Sequence, residues 1–139
     1  MATFRSKVTW FCYMISLIVF IVVFAAGSSI VENHPSGYVT LSFYIVTSTT
    51  FISALTLGIW GNFLKWLYPI MAVAFAYLFS IAVIYSDQVY LYLHHNHGVN
   101  DIHSATDWTF FHLSTAVVFL GLIIGIGIRL IIGKSNTTK

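Results

Sequence analysis

Histidine and aspartate residues are concentrated in one short stretch of this chain, just before Trp108. Imidazole is the commonest protein ligand of transition metals, and a neighbouring carboxylate can bind the metal or orient the ring. Nitrogen-rich ligation favours Cu or Zn over Ca or Mg. The stretch therefore predicts a candidate Cu or Zn site, whose ligands would be His94, His97, His103 and Asp107.

The spacing allows these side chains to converge if helices flank the stretch. His94 and His97 share a helix face if the preceding helix continues, and His103 and Asp107 do so if the following helix begins early. Alternate ligands are His95, Asp101 and His112. The pattern matches no established metal signature, and several histidines would also titrate between about pH 5 and 8 without a metal. A metal site and a pH-sensitive polar surface therefore remain alternatives.

Four apolar segments must position this stretch. The chain has 139 residues, of which 58% are hydrophobic and 7% charged, so it lacks the charged surface of a soluble domain. Each segment is about long enough to cross a ~30 Å hydrocarbon core as a helix. The sequence therefore predicts an all-α integral membrane protein with one domain, 1–139. Its four transmembrane helices are expected at about 8–27, 38–60, 64–86 and 107–132, with a His-rich outer loop at 87–107.

Charged residues alternate between the connecting segments. The cations lie at the two ends of the chain and in the second connection: Arg5, Lys7, Lys65, Arg129, Lys134 and Lys139. All four acidic residues and all six histidines lie in the other two connections or near the start of the fourth helix. Since basic residues favour the cytoplasmic side, both termini are expected in the cytoplasm. The predicted fold is an antiparallel four-helix bundle in the cell membrane.

Small and hydroxyl-bearing residues indicate where helices pack. In the second segment, Ser42, Thr49, Ser53 and Thr56 recur at helical spacing and share one face. In the fourth segment, Gly121 and Gly125 form a small-xxx-small pattern that permits close helix crossing. We interpret both features as helix-packing seams. For the hydroxyl face, a polar conduit is the alternative interpretation.

No catalytic motif accompanies these features. A phosphate-binding loop, a nucleophile elbow and an HExxH pattern are all missing from the sequence. The sequence therefore favours a small, non-catalytic accessory subunit of a larger membrane complex. Its expected partners are the lipid bilayer and larger membrane subunits of a hetero-oligomer, not nucleic acid. The alternative is a Cu- or Zn-binding protein, or an auxiliary subunit of a membrane metalloenzyme.

The outline of four helices with short loops is similar in topology to that of the MARVEL-type membrane proteins. In size, the chain is also similar to auxiliary subunits of membrane oxidases and copper membrane monooxygenases. The first resemblance implies a membrane scaffold, and the second implies a subunit of an oxidoreductase complex. No residue matches the copper-ligand pattern of a monooxygenase's principal subunits, so none is assigned by resemblance. A small-solute transporter is the remaining alternative.

Overall fold

A computed structural model describes the backbone of residues 2–30, 35–94 and 103–137, and the side chains of residues 3–25, 43–81 and 111–135. The chain is helical, with α1 at Ala2–Ile30, α2 at Pro35–Trp60, a 3₁₀ turn at Phe63–Leu67, α3 at Tyr68–His94 and α4 at His103–Thr137.

In the described part of the chain, four helices are long and apolar enough to cross a membrane, over Thr3–Ala25, Phe43–Trp60, Phe63–Ile81 and Phe111–Ser135. The prediction of an all-helical protein with four such segments is confirmed, and the apolar helices indicate a multi-pass membrane protein in a lipid bilayer. The helices are longer than the predicted segments. In particular, α3 continues to His94 and α4 begins at His103, so both helices extend into the expected loop 87–107. The apolar run that follows Val89 accounts for the longer α3, because it suits a helix better than a polar loop.

Helices α2 and α4 approach each other closely at three glycines, Gly58, Gly121 and Gly125. A Cβ atom added to Gly58 would lie 2.7 Å from the Cα atom of Gly125, and one added to Gly121 would lie 2.9 Å from the carbonyl oxygen of Phe51. Glycine is needed at these positions because the two backbones approach too closely for a side chain. Residue numbers rise together along the two helices, so α2 and α4 run in the same direction.

Helix α1 contacts both α2 and α3. Ser16 lies beside Ser53 of α2, and Thr9 lies beside Asn62 at the end of α2, so these two helices run in opposite directions. The Phe20 ring stacks on Phe75 of α3 with 3.8 Å between ring centroids. One turn further along α1, the Phe24 ring meets Phe79 of α3 edge to face, so α1 and α3 run in the same direction.

The connection between α2 and α3 is tied to α1 by hydrogen bonds. Asn62 caps the 3₁₀ turn, because its side-chain oxygen accepts from the backbone N–H of Leu64 at 2.9 Å. The backbone N–H of Asn62 donates to Thr9 Oγ1 at 3.1 Å, and the Tyr13 hydroxyl donates to the carbonyl of Leu64 at 2.9 Å. Pro69 follows at the start of α3, where its missing N–H breaks no helical hydrogen bond. These bonds hold the start of α1 against the α2–α3 connection.

Candidate functional site

The predicted metal ligands lie around the ends of α3 and α4. His94 is the last residue of α3, and His103 is the first residue of α4. Asp107 follows in the second turn of α4. The side chains of these three residues lie outside the described part of the chain. His97, together with the alternates His95 and Asp101, lies outside the described residues altogether.

His112 is the one predicted alternate whose side chain is described. It is exposed on α4, and its ring lies edge to face with the Phe111 ring at a centroid separation of 5.5 Å. Among the side chains of 3–25, 43–81 and 111–135, no three His, Cys, Asp or Glu residues are grouped closely enough to hold a metal ion. His112 therefore has no metal-binding neighbours within those ranges.

The residues of the predicted hydroxyl face of α2 differ in burial and in hydrogen-bond partners. Ser42 belongs to α2, but its side chain lies outside the described part. Thr49 is half-buried, and the Thr56 hydroxyl donates to the carbonyl of Ile52 in its own helix. Within 43–60, Ser53 is the predicted residue that bonds to another helix, because its hydroxyl accepts from Ser16 of α1. The predicted Gly121 and Gly125 both lie in the α2–α4 contact described above.

Three buried hydroxyl groups form a cluster that joins α1, α2 and α3. The Ser16 hydroxyl donates to Ser53 Oγ at 3.2 Å, and it shares a 2.7 Å hydrogen bond with the Tyr68 hydroxyl. Ser16 and Tyr68 are fully buried, and the Tyr13 ring packs edge to face on Tyr68. Neither Ser16 nor Tyr68 was predicted as a site residue from the sequence. Ser16 could have been noticed as a polar residue in the middle of an otherwise apolar helix.

An apolar groove lies between α1 and α3. Its volume is about 650 Å³ and its walls carry no charged side chain. One wall includes Leu17, Ile21 and Phe24 of α1, and the other includes Ala74 and Leu78 of α3. From Leu17 to Phe24 the groove follows α1 for about 10 Å. This groove could not be predicted from the sequence, because apolar residues that face lipid and apolar residues that line a groove are alike in sequence.

Cationic side chains gather at the end of the molecule where α1 begins. Lys65 is only 8% exposed, and its ammonium nitrogen lies 5.5 Å from the centre of the Trp66 ring. Arg5 and Arg129 are both half-buried, and their positive charges repel the Lys65 ammonium. We call these three cations the basic cluster. It brings together residues from α1, the α2–α3 connection and α4.

The chain matches no known family model, no curated protein and no solved structure. Its function must therefore be inferred from the chemistry and geometry of its own residues. The described residues contribute three features to that inference: the apolar groove, the buried hydroxyl cluster and the basic cluster.

Proposed function

We propose that this protein is a non-catalytic structural subunit of a larger membrane protein complex. It would be an antiparallel four-helix bundle in the cell membrane with both termini in the cytoplasm. The helix directions support this arrangement, since α1 runs opposite to α2 and parallel to α3, while α2 runs parallel to α4. The distribution of Lys and Arg supports the orientation, because basic residues favour the cytoplasmic side.

The apolar groove between α1 and α3 is the observation that carries this proposal. A site for a polar small molecule needs a few convergent polar groups, and the walls of this groove offer none that are charged. Small residues line it at Ala25 and Ala74, and small residues let another helix approach closely. In lipid, helices associate through such close packing rather than through a hydrophobic driving force. We propose that the groove receives a transmembrane helix of a partner subunit, which presents a ridge of large apolar side chains.

Filling the groove is expected to release the partner. Ala74 is exposed in the groove, and Ala116 is exposed on α4, away from the groove lining, so the same substitution can be compared at both positions. We expect Ala74→Phe to abolish co-purification of larger membrane subunits with the tagged protein, because the new ring occupies the space of the partner helix. Ala116→Phe should co-purify with them as the wild type does. The measurement is mass spectrometry after purification from the native membrane in a mild detergent.

A photo-cross-linker tests the same groove without filling it. Placed at Ile21, it should form an adduct with a partner protein. Placed at Ile123, which is 66% exposed on α4, it should label lipid. Adducts with lipid alone at Ile21, or an Ala74→Phe variant that keeps its partners, would contradict the proposal.

The second candidate function is binding of Cu or Zn, in a metal-handling protein or an auxiliary subunit of a membrane oxidoreductase complex. The supporting observation is that α3 ends on one predicted ligand, His94, and α4 begins on another, His103. The Tyr77 and Phe111 rings, in contact at 6.1 Å between centroids, show that these two helices pack together. His94, His97, His103 and Asp107 would then supply the imidazole and carboxylate ligands.

Elemental analysis of the purified protein tests the metal proposal. We expect about one Cu or Zn per chain in the wild type and a loss of at least nine tenths of it in a His94→Ala/His97→Ala/His103→Ala variant, because three imidazole ligands are removed. His112→Ala tests the alternate ligand on α4, and unchanged metal content in that variant would leave His94, His97 and His103 as the imidazole ligands. Equal metal content in the wild type and the triple variant would show that the histidines do not form the site.

A further inference from the structure

The basic cluster is held together by contacts among three parts of the chain. The Thr9 hydroxyl donates to the carbonyl of Arg5 and accepts from the backbone N–H of Asn62. These bonds place the first turns of α1 against the connection that carries Lys65. The backbone positions of Arg5 and Lys65 are therefore held near each other by the fold.

The contact between α2 and α4 brings in the third cation. Gly125 lies against Gly58, close to the end of α2. Arg129 follows Gly125 by four residues, about one turn of α4. Lys65 follows Gly58 by seven residues and lies just beyond the end of α2. Since α2 and α4 run in the same direction, Arg129 lies at the level of the α2–α3 connection.

None of the four acidic residues of the sequence can neutralise this cluster. Along α3, Asp87 lies about 28 Å from the first residue, Tyr68, and along α4, Asp107 lies about 33 Å from Arg129. In the sequence, Asp101 stands two residues before the start of α4 and Glu32 three residues before the start of α2, whereas the cluster lies near the ends of these helices. A lysine that is mostly removed from solvent and is repelled by two arginines is unfavourable unless an anion compensates the charge. An anion that compensates the cluster would therefore come from outside the Asp and Glu residues of this chain.

The aromatic residues at this end indicate the depth of the cluster. Trp10, Trp60 and Trp66 are each at least half exposed there. Tryptophan concentrates at the membrane–water interface, where its ring meets the lipid head groups. Basic pockets between membrane helices at that depth bind phospholipid head groups. We propose that Lys65, Arg5 and Arg129 bind the phosphate group of an anionic phospholipid.

Native mass spectrometry of the delipidated, full-length protein in neutral detergent tests the site. Phosphatidylglycerol is the probe, and phosphatidylcholine is the zwitterionic comparison. We expect Lys65→Gln and Arg129→Gln each to weaken phosphatidylglycerol binding about fivefold, and the double variant about 25-fold. Lys65→Arg should bind as the wild type does, because it keeps the charge. If Lys65→Gln does not fold, the half-buried Arg129→Gln alone decides the result.

Lys7→Gln is the matched control. Lys7 is exposed and lies two residues after Arg5, so it projects from a different face of α1. Its substitution should change phosphatidylglycerol binding less than twofold. Equal weakening by Lys7→Gln, or equally tight binding of phosphatidylcholine, would overturn the proposal, because it would show attraction by net charge or no selectivity for anionic lipid.

Two further outcomes separate a lipid from other anions. Binding of glycerol 1-phosphate as tightly as phosphatidylglycerol would assign the cluster to a free phosphate compound and overturn the lipid site. If the double variant binds phosphatidylglycerol normally but loses a co-purifying protein, the cluster pairs with acidic residues of a partner instead. The test is independent of the groove, since Ala74→Phe is expected to leave phosphatidylglycerol binding unchanged.

Discussion

Replacing Gly125 with alanine is expected to lower the free energy of unfolding by about 3 kcal/mol. The added Cβ would lie 2.8 Å from the Cα atom of Gly58 and closer still to the carbonyl oxygen of Leu55. Both neighbours are backbone atoms, so α2 and α4 must move apart to admit a methyl group. That movement would also loosen the packing of Leu122 and Val118, which are buried against the same core. The measurement is an equilibrium unfolding titration in mixed detergent micelles.

Gly127 provides a matched control in the same helix. A Cβ atom at that position would meet nothing within 4 Å, and glycine has a low helix propensity. Gly127→Ala should therefore leave the free energy of unfolding unchanged or raise it by up to about 1 kcal/mol. If Gly125→Ala and Gly127→Ala have the same free energy of unfolding, the backbones of α2 and α4 do not approach closely at Gly125.

Removing the Ser16 hydroxyl is expected to cost about 1–2 kcal/mol of stability. Ser16→Ala would leave the fully buried Tyr68 hydroxyl without its 2.7 Å partner. Ser53 is then the hydroxyl partner that remains for Tyr68. We expect a lower free energy of unfolding in the same titration, together with a weaker attachment of α1 to α2 and α3.

A double-mutant cycle shows whether the lower stability of Ser16→Ala is caused by loss of its hydrogen bond to Tyr68. Tyr68→Phe combined with Ser16→Ala should destabilise the protein by less than the sum of the single variants, with a coupling energy of about 1 kcal/mol. Ser48→Ala is the control, because Ser48 is an exposed serine on α2, and it should change stability by less than about 0.5 kcal/mol. Strict additivity of the two core variants would show that the hydroxyls do not stabilise each other.

The number of helices and their membrane character could be predicted from the sequence because each depends on local composition. A helix satisfies its own backbone hydrogen bonds, so an apolar segment of sufficient length is recognisable without knowledge of its neighbours. The positions of charged residues at helix ends could be predicted for the same reason. The helix boundaries near His94 and His103 could not, because the polar residues of that stretch are also compatible with a loop.

The pairing of helices was decided by the tertiary structure. The spacing of Gly121 and Gly125 indicated a close contact, but nothing in the sequence named Gly58 as the glycine it would meet. Likewise, Ser53 was expected on a packing face, while its partner Ser16 was not. In a membrane protein, lipid-facing and buried helix surfaces are both apolar, so hydrophobic periodicity does not distinguish them.

For the basic cluster too, the sequence determined one property and the tertiary structure another. The sequence alone determined that cations and acidic residues lie at opposite ends of the helices. Only the contact of α1 with the α2–α3 connection and the contact of α4 with α2 brought Lys65, Arg5 and Arg129 together. The physical reason is that charge distribution along a helix follows from residue order, whereas distances between helices depend on which small residues permit close approach.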